Sequence, residues 1–353
     1  MKTVIADKIG SIAEHLGLKQ ELHLATDIPC EEGVLLAVEV LNNKASYNKL
    51  ELVSGRMAQV KRGDVIVGAL GHRNALFGYS GHLPESVKPG DVLQLLNIGG
   101  VIGVCDSVNA SFGQPFDVKV LGGVLDFPHL GERIGVPARV GAAQLEGTPA
   151  LDTQGVPVVA LAGTCMDSGK TAAACAIISR LRHHGLKVDA FKATGVALRR
   201  DILAMEDAGA RNTLIFSDFG VVATSNDNGP AVTRTMLNQL CKEKPDVIVF
   251  ELGDGLLGSY GVQAILADQE LRDAFSCTLL CANDPVAAWG GVQLMQQDYE
   301  LKADMVTGPA TDNLVGKKLI DERLNVPALN ALTDTTELGD AVMDILGLQK
   351  SSK

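Results

Sequence analysis

The stretch from Val156 to Gly185 constrains the fold more than any other: "VPVVALAG", then "TCMDSG", then "KTAAACAIISRLRHHG". A continuous apolar run is the pattern of a parallel strand buried on both faces. The second run carries helix formers, basic residues in its last turns and Gly185 as a stop. Strand, glycine-bearing loop and helix in that order form a phosphate-binding loop. Backbone N–H groups at the helix start point into such a loop, and the helix dipole favours an anion there. The loop consists of Gly163, Thr164, Cys165, Met166, Asp167, Ser168, Gly169, Lys170 and Thr171. Its two glycines are one residue further apart than in the common pattern. Gly169 leaves room for backbone to approach phosphates, Lys170 can reach β and γ oxygens, and the Thr171 hydroxyl can ligate Mg2+.

Beyond the loop the same texture continues. "LKVDAFKATG", "PDVIVFELGDG", "FSCTLLCANDP" and "ADMVTGPA" are further strands with helical stretches between them, and "VPALNAL" is a last short strand before the helix "DTTELGDAVMDILG". Alternation of this kind implies right-handed crossovers and a mostly parallel sheet flanked by helices. Residues 31–140 differ. "GVLLAVEVL", "KLELVSGRMAQV", "GDVIVGAL", "DVLQLLNIGGVIGVC" and "FDVKVLGGVL" are short strands cut by Gly, Asn, Asp and Pro. "VKRGDVIVG" and "VKPGDVLQL" each place Gly-Asp at a turn before a strand, as in a small β-barrel or sandwich. The opening "MKTVIADKIGSIAEHLGL" is a strand followed by a helix. The expectation is an α/β chain with a smaller β-rich domain, barrel or sandwich, over residues 1–145. A P-loop domain follows over 156–348, after the link "AQLEGTPALDTQGVP", and "QKSSK" is a frayed tail.

Composition narrows the function classes. Aromatic residues are only 4% of 353, so aliphatic side chains must fill the cores. A net charge of −11 disfavours nucleic acid as a partner, since such binding rests on basic surface. The seven cysteines are scattered and form no CxxC, the pattern of reduced thiols in a reducing compartment. No apolar run reaches membrane-spanning length. A soluble cytoplasmic protein acting on a small-molecule acid, as a homodimer or larger homo-oligomer, is expected.

Several side chains are placed for chemistry. Glu251 and Asp254 lie at the carboxyl end of a parallel strand, where open α/β sheets bind ligands. Lys192 ends the neighbouring strand and can orient a carboxylate or neutralise charge developing in phosphoryl transfer. Asp201 and Asp218 are further candidate acids. Each has a plainer reading: Glu251 as a helix-capping or solvated acid, Lys192 as a surface lysine. In the β-rich half, "GALGHRNALFGYSGHLP" gathers His72, Arg73 and His82 among glycines, a set that can bind a carboxylate. The alternative is a turn-rich connection. Two His ten apart without a carboxylate cluster do not make a metal site.

"G-T-x-x-x-x-G-K-T" resembles the loop of the dethiobiotin synthetase family and its relatives, the cobyrinic and cobyric acid amide synthetases. "LKVDAFKATG" and "PDVIVFELGDGLL" are similar to that family's second strand and to its glutamate-bearing strand. The resemblance covers residues 156 to 345. It implies Lys192 near the reacting groups, with Glu251, Thr171 and Asp201 as Mg2+ ligands. It also implies ATP-dependent activation of a small carboxylate or carbamate by phosphorylation, for C–N bond formation. Catalytic residues would be Lys170, Lys192 and Glu251; Asp254, Arg73 and His72 are weaker substrate contacts expected from the residues alone, outside the resemblance. Cys165 stands where the family has an acid. "KATG" and "ELGDGLLGSYGV" are also similar to an uncharacterised P-loop group with a separate N-terminal domain, one branch of which is linked to acyl transfer. Two other functions stay open: an acyltransferase whose loop binds coenzyme A or nucleotide phosphates, and a nucleotide-dependent regulatory or chaperone module.

Overall fold

The computed structural model describes residues 2–128 and 134–348. The segment Gln349–Lys353, expected as a tail, lies outside the described residues. The chain forms two compact units. One comprises Met1–Leu145 together with Val196–Arg200 and Phe216–Ala223; the other comprises Glu146–Gly195, Asp201–Ile215 and Thr224–Lys353.

In the first unit, five strands close a ring. Phe116–Asp126 pairs antiparallel with Leu35–Val40, which pairs antiparallel with Val65–Leu70. Val65–Leu70 runs parallel to Val101–Val108, which pairs with Val92–Leu95, and that strand returns to Phe116–Asp126. Closure makes this a barrel rather than a sandwich. Its interior takes alternate residues of each strand, as the two-residue period of a strand requires: Leu36, Val38 and Val40; Ile66 and Leu70; Phe116, Val118 and Val120. The position between Ile66 and Leu70 is Gly68, where a Cβ would collide with the Gly100 carbonyl and Ile102. The two Gly-Asp turns are built alike. Asp64 and Asp91 each accept a hydrogen bond from the backbone N–H three residues earlier, at 2.7 and 2.9 Å, beside Gly63 and Gly90 at φ +89° and +98°. The expected first helix is a 3-10 turn, Ser11–Leu16, ended by left-handed Gly17.

The second unit holds a parallel sheet of β1 (Val158–Gly163), β2 (Val188–Lys192), β3 (Thr213–Ile215), β4 (Val247–Glu251), β5 (Phe275–Cys281) and β6 (Met305–Thr307). The strand order is β3-β2-β4-β1-β5-β6, with every pairing parallel. All six residues of β1 are buried, as its apolar run requires. Helix α1 (Lys170–His183) buries Ala173, Ala174, Ile177, Ile178 and Leu181, a stripe of helical period that packs on the sheet. Helix α2 (Arg200–Asp207) follows β2. The expected strand at "VPALNAL" shrinks to one parallel bridge, Val306 to Ala328. Pro327 supplies no donor there, so a ladder cannot extend through it. Short β3 was missed because "RNTLIF" offers only three paired residues. No helix among the described residues is long and apolar enough to cross a membrane.

Candidate phosphate-loop site

β1 ends at Gly163 and α1 begins at Lys170, so the intervening residues wrap the helix start at the carboxyl edge of the sheet. Gly169 precedes the helix at φ +90°, a conformation that favours glycine, and no side chain caps α1. A Cβ at Gly163 would collide with the Ser168 hydroxyl and the Lys170 side chain. The loop therefore closes tightly around the lysine. Lys170 Nζ donates to the carbonyls of Cys165 at 2.9 Å and Asp254 at 2.6 Å, with the Ser168 hydroxyl at 3.4 Å.

Parallel register brings the remaining groups together. Lys192 and Glu251 are direct partners on β2 and β4, and Leu161 on β1 pairs with Glu251 from the other side. The Thr171 hydroxyl donates to Glu251 Oε2 at 2.8 Å. Lys192 forms an ion pair with Asp201 in the first turn of α2, with only 9% and 13% of the two side chains exposed. Glu251 is buried. Burial pushes its carboxyl above the usual range, and the nearby Asp201 charge pushes it further. Lys192, Lys170 and the Thr171 hydroxyl act in the opposite direction. Lys170, Thr171, Lys192, Glu251 and Asp201 thus form one connected group. The plain readings of Glu251 as a solvated acid and Lys192 as a surface lysine do not match this burial.

Asp254 is buried at φ +72°, and its carbonyl is the one held by Lys170. The glycines around it mark close approaches. A Cβ on Gly253 would strike the Thr194 carbonyl, and one on Gly255 would press on Thr164 and Cys165 at 2.8–3.1 Å. Glycine density in "ELGDGLLG" was the available signal for this packing. Two contributors had none: Asn283, whose amide donates to Cys165 Sγ at 3.1 Å, and Thr194, which donates to the Gly253 carbonyl at 2.9 Å. Among the described residues no three His, Cys, Asp or Glu converge as a metal-holding group.

The weaker substrate contacts are placed differently. Arg73 belongs to the barrel unit, is 3% exposed, and donates to the Leu96 carbonyl and to the Tyr47 hydroxyl at 2.9 Å. The segment holds two short antiparallel strands, Arg73–Asn74 and Tyr79–His82, and the guanidinium ties the first of them to Tyr47 and Leu96. His72 pairs with Glu32 at 3.3 Å, which raises the imidazole's pKa, and exposed His82 pairs with Asp106 at 2.7 Å. Asp218 lies 3.6 Å from Arg199.

No family model matches the chain, and no curated protein matches it. Among solved structures it is similar to the signal recognition particle receptor FtsY from Elizabethkingia anophelis, at 16% identity over 55% of this chain and 67% of that one, with a TM-score of 0.39. It is also similar to hydrogenase maturation factor HypB from Archaeoglobus fulgidus, at 13% identity over 54% and 91%, TM-score 0.35. A DUF1611 family protein from Anabaena variabilis matches at 14% identity over 57% and 63%, TM-score 0.37.

Proposed function

We propose that this chain is an Mg2+- and ATP-dependent enzyme that phosphorylates a small carboxylate or carbamate for C–N bond formation, in the manner of the dethiobiotin synthetase family that its loop resembles. The observation that carries the reading is the gathering of Lys170, Thr171, Lys192 and Glu251 at the carboxyl ends of the adjacent strands β2, β4 and β1. The residues fit the groups implied. The glycines at 163 and 169 leave a backbone cradle that side chains would fill. The Thr171 hydroxyl against the Glu251 carboxylate is a pair of hard oxygens, and Mg2+ takes few protein ligands because it keeps several waters.

When bound, Mg-ATP supplies the phosphoryl group and neutralises its oxygens. Lys170 would exchange its carbonyl partners for phosphate oxygens. Lys192 is placed to orient the acceptor carboxylate, and Asp201 fixes the lysine in that position. A buried Glu251 with a raised pKa gains from a nearby cation, so binding Mg2+ would restore its charged form.

A thermal-shift screen with ATP, GTP and acyl-CoA, each with and without Mg2+, tests the reading. ATP at 100 times its Kd should stabilise the fold by about 2.7 kcal/mol and do so only with Mg2+. Lys170→Ala should abolish the shift, and phosphate release should depend on added small acid. Stabilisation by acyl-CoA without phosphate release would replace ligation by acyl transfer.

A further inference from the structure

Lys170 is buried, and its ammonium is held by neutral oxygens. The Cys165 carbonyl, within the phosphate loop, accepts at 2.9 Å. The Asp254 carbonyl, from the stretch that follows β4, accepts at 2.6 Å. An ammonium bonds more strongly to a charged phosphate oxygen than to a neutral carbonyl. Phosphate entering the loop therefore competes with both carbonyls for the same lysine.

Of the two, the Asp254 carbonyl belongs to a residue in an unfavourable backbone state. Asp254 is 7% exposed at φ +72°, the left-handed region, where a Cβ crowds the following carbonyl. Only packing around it can hold it there. Its flanking glycines supply that packing. A Cβ on Gly253 would strike the Thr194 carbonyl and come within 3.1 Å of Lys192 Cε, and one on Gly255 would come within 2.8 Å of the Thr164 carbonyl. One on Gly258 would strike the Asp254 carboxylate. The Gly253 carbonyl accepts from the Thr194 hydroxyl at 2.9 Å, and the Leu256 N–H donates to the Gly163 carbonyl, at the end of β1, at 2.9 Å. Residues 252–258 thus lie flat against the phosphate loop, and Lys170 is one of the ties that keep them there.

We infer that residues 252–258 are a latch on the phosphate loop. Lys170 holds the Asp254 carbonyl while the loop is empty. Phosphate takes the lysine, Asp254 leaves the left-handed conformation, and the stretch lifts from Gly163. Because Gly253 lies against Lys192, occupancy of the loop is passed to the second lysine of the site. The latch presupposes that the loop binds nucleotide phosphate, as proposed above.

Two readouts in the full chain test it. Asp254→Ala and Asp254→Gly both remove the carboxylate, and they differ in backbone preference: glycine adopts the left-handed state freely and alanine resists it. In titration calorimetry MgATP should bind Asp254→Ala about fivefold more tightly than Asp254→Gly, the scale of the left-handed penalty. Equal affinities, or a tighter Asp254→Gly, would overturn the inference, because a residue that keeps one conformation throughout cannot favour alanine. The second readout needs no nucleotide. In hydrogen exchange of the ligand-free protein, Lys170→Met should speed the Leu256 amide about tenfold, as expected for losing a hydrogen bond to a charged group. Unchanged exchange at Leu256 would overturn the latch; should Lys170→Met not fold, the alanine and glycine variants decide alone. Faster exchange at Leu256 with no MgATP binding by the natural chain would retain the hold of Lys170 on Asp254, strike its release by nucleotide, and remove the proposed function.

Discussion

The Thr171 hydroxyl donates to Glu251 Oε2 across 2.8 Å, tying the first turn of α1 to the last residue of β4. Glu251 is otherwise surrounded by apolar strand residues and by charges of both signs. That environment makes its protonation a direct report on the site.

The first prediction concerns pH. Burial and Asp201 raise the Glu251 pKa in the folded state above its unfolded value. The folded protein therefore binds the proton more readily than the unfolded chain. No penalty exists below the ordinary carboxylate range, and one develops as pH rises from that range through the folded pKa. Glu251→Gln keeps an acceptor for Thr171 and removes the penalty. Its urea midpoint should exceed that of the natural chain at pH 8, and the difference should vanish towards pH 4, about the unperturbed Glu value. The same substitution should slow Mg2+-dependent phosphate release by about 100-fold, the scale on which partners at a metal site act. A lower midpoint at pH 8 would mean that the lysines outweigh burial.

The second concerns the Lys192–Asp201 pair. Both side chains are largely buried, so removing one takes from the other an opposite charge in contact with it. Lys192→Met and Asp201→Asn should each cost about 3 kcal/mol of stability. The double variant should cost less than the sum by more than about 1 kcal/mol, measured by urea denaturation as a double-mutant cycle. Additive losses would show that the two side chains act independently.

The parallel sheet and its loop were legible because their signals are local. "VPVVALAG" is apolar at every position, and the glycines of "GTCMDSGKT" precede a helical stretch without a break. Lys192 and Glu251 could each be placed at a strand end because each closes an apolar run, and the register makes them direct partners. The five barrel strands were legible one by one, but the ring that they close is a property of pairing over long separations. The contacts that sequence did not signal are likewise distant. Glu51 and Arg199 are 148 residues apart, and neither "KLELV" nor "GVALRRD" carries a pattern that points to the other. The partners of Arg73 are also distant: its Nη1 donates to Tyr47, 26 residues earlier, and to the Leu96 carbonyl, contacts that the glycines and histidines beside it do not signal.

The last prediction uses the seven cysteines, all of them free thiols. Burial pushes Cys175 and Cys241 up to about 11, and Cys277 and Cys281 up to about 12. Since the thiolate is the reactive form, a pKa of 11 leaves roughly a thousandth of the thiol reactive at pH 8. Iodoacetamide at that pH should leave these four unlabelled in the folded protein and label them in urea, as read by peptide mass spectrometry. Cys165 is half-buried in the phosphate loop, with Asn283 on its sulfur. It should label in the folded protein, and saturating MgATP should slow its labelling by about tenfold, because only the ligand-free fraction is open to the reagent. Cys281 pairs in register with Gly163, two residues before Cys165. Labelling of Cys281 as fast as Cys165 would show that the end of β5 opens in solution, and a loop supported on so mobile a strand could not hold a phosphate.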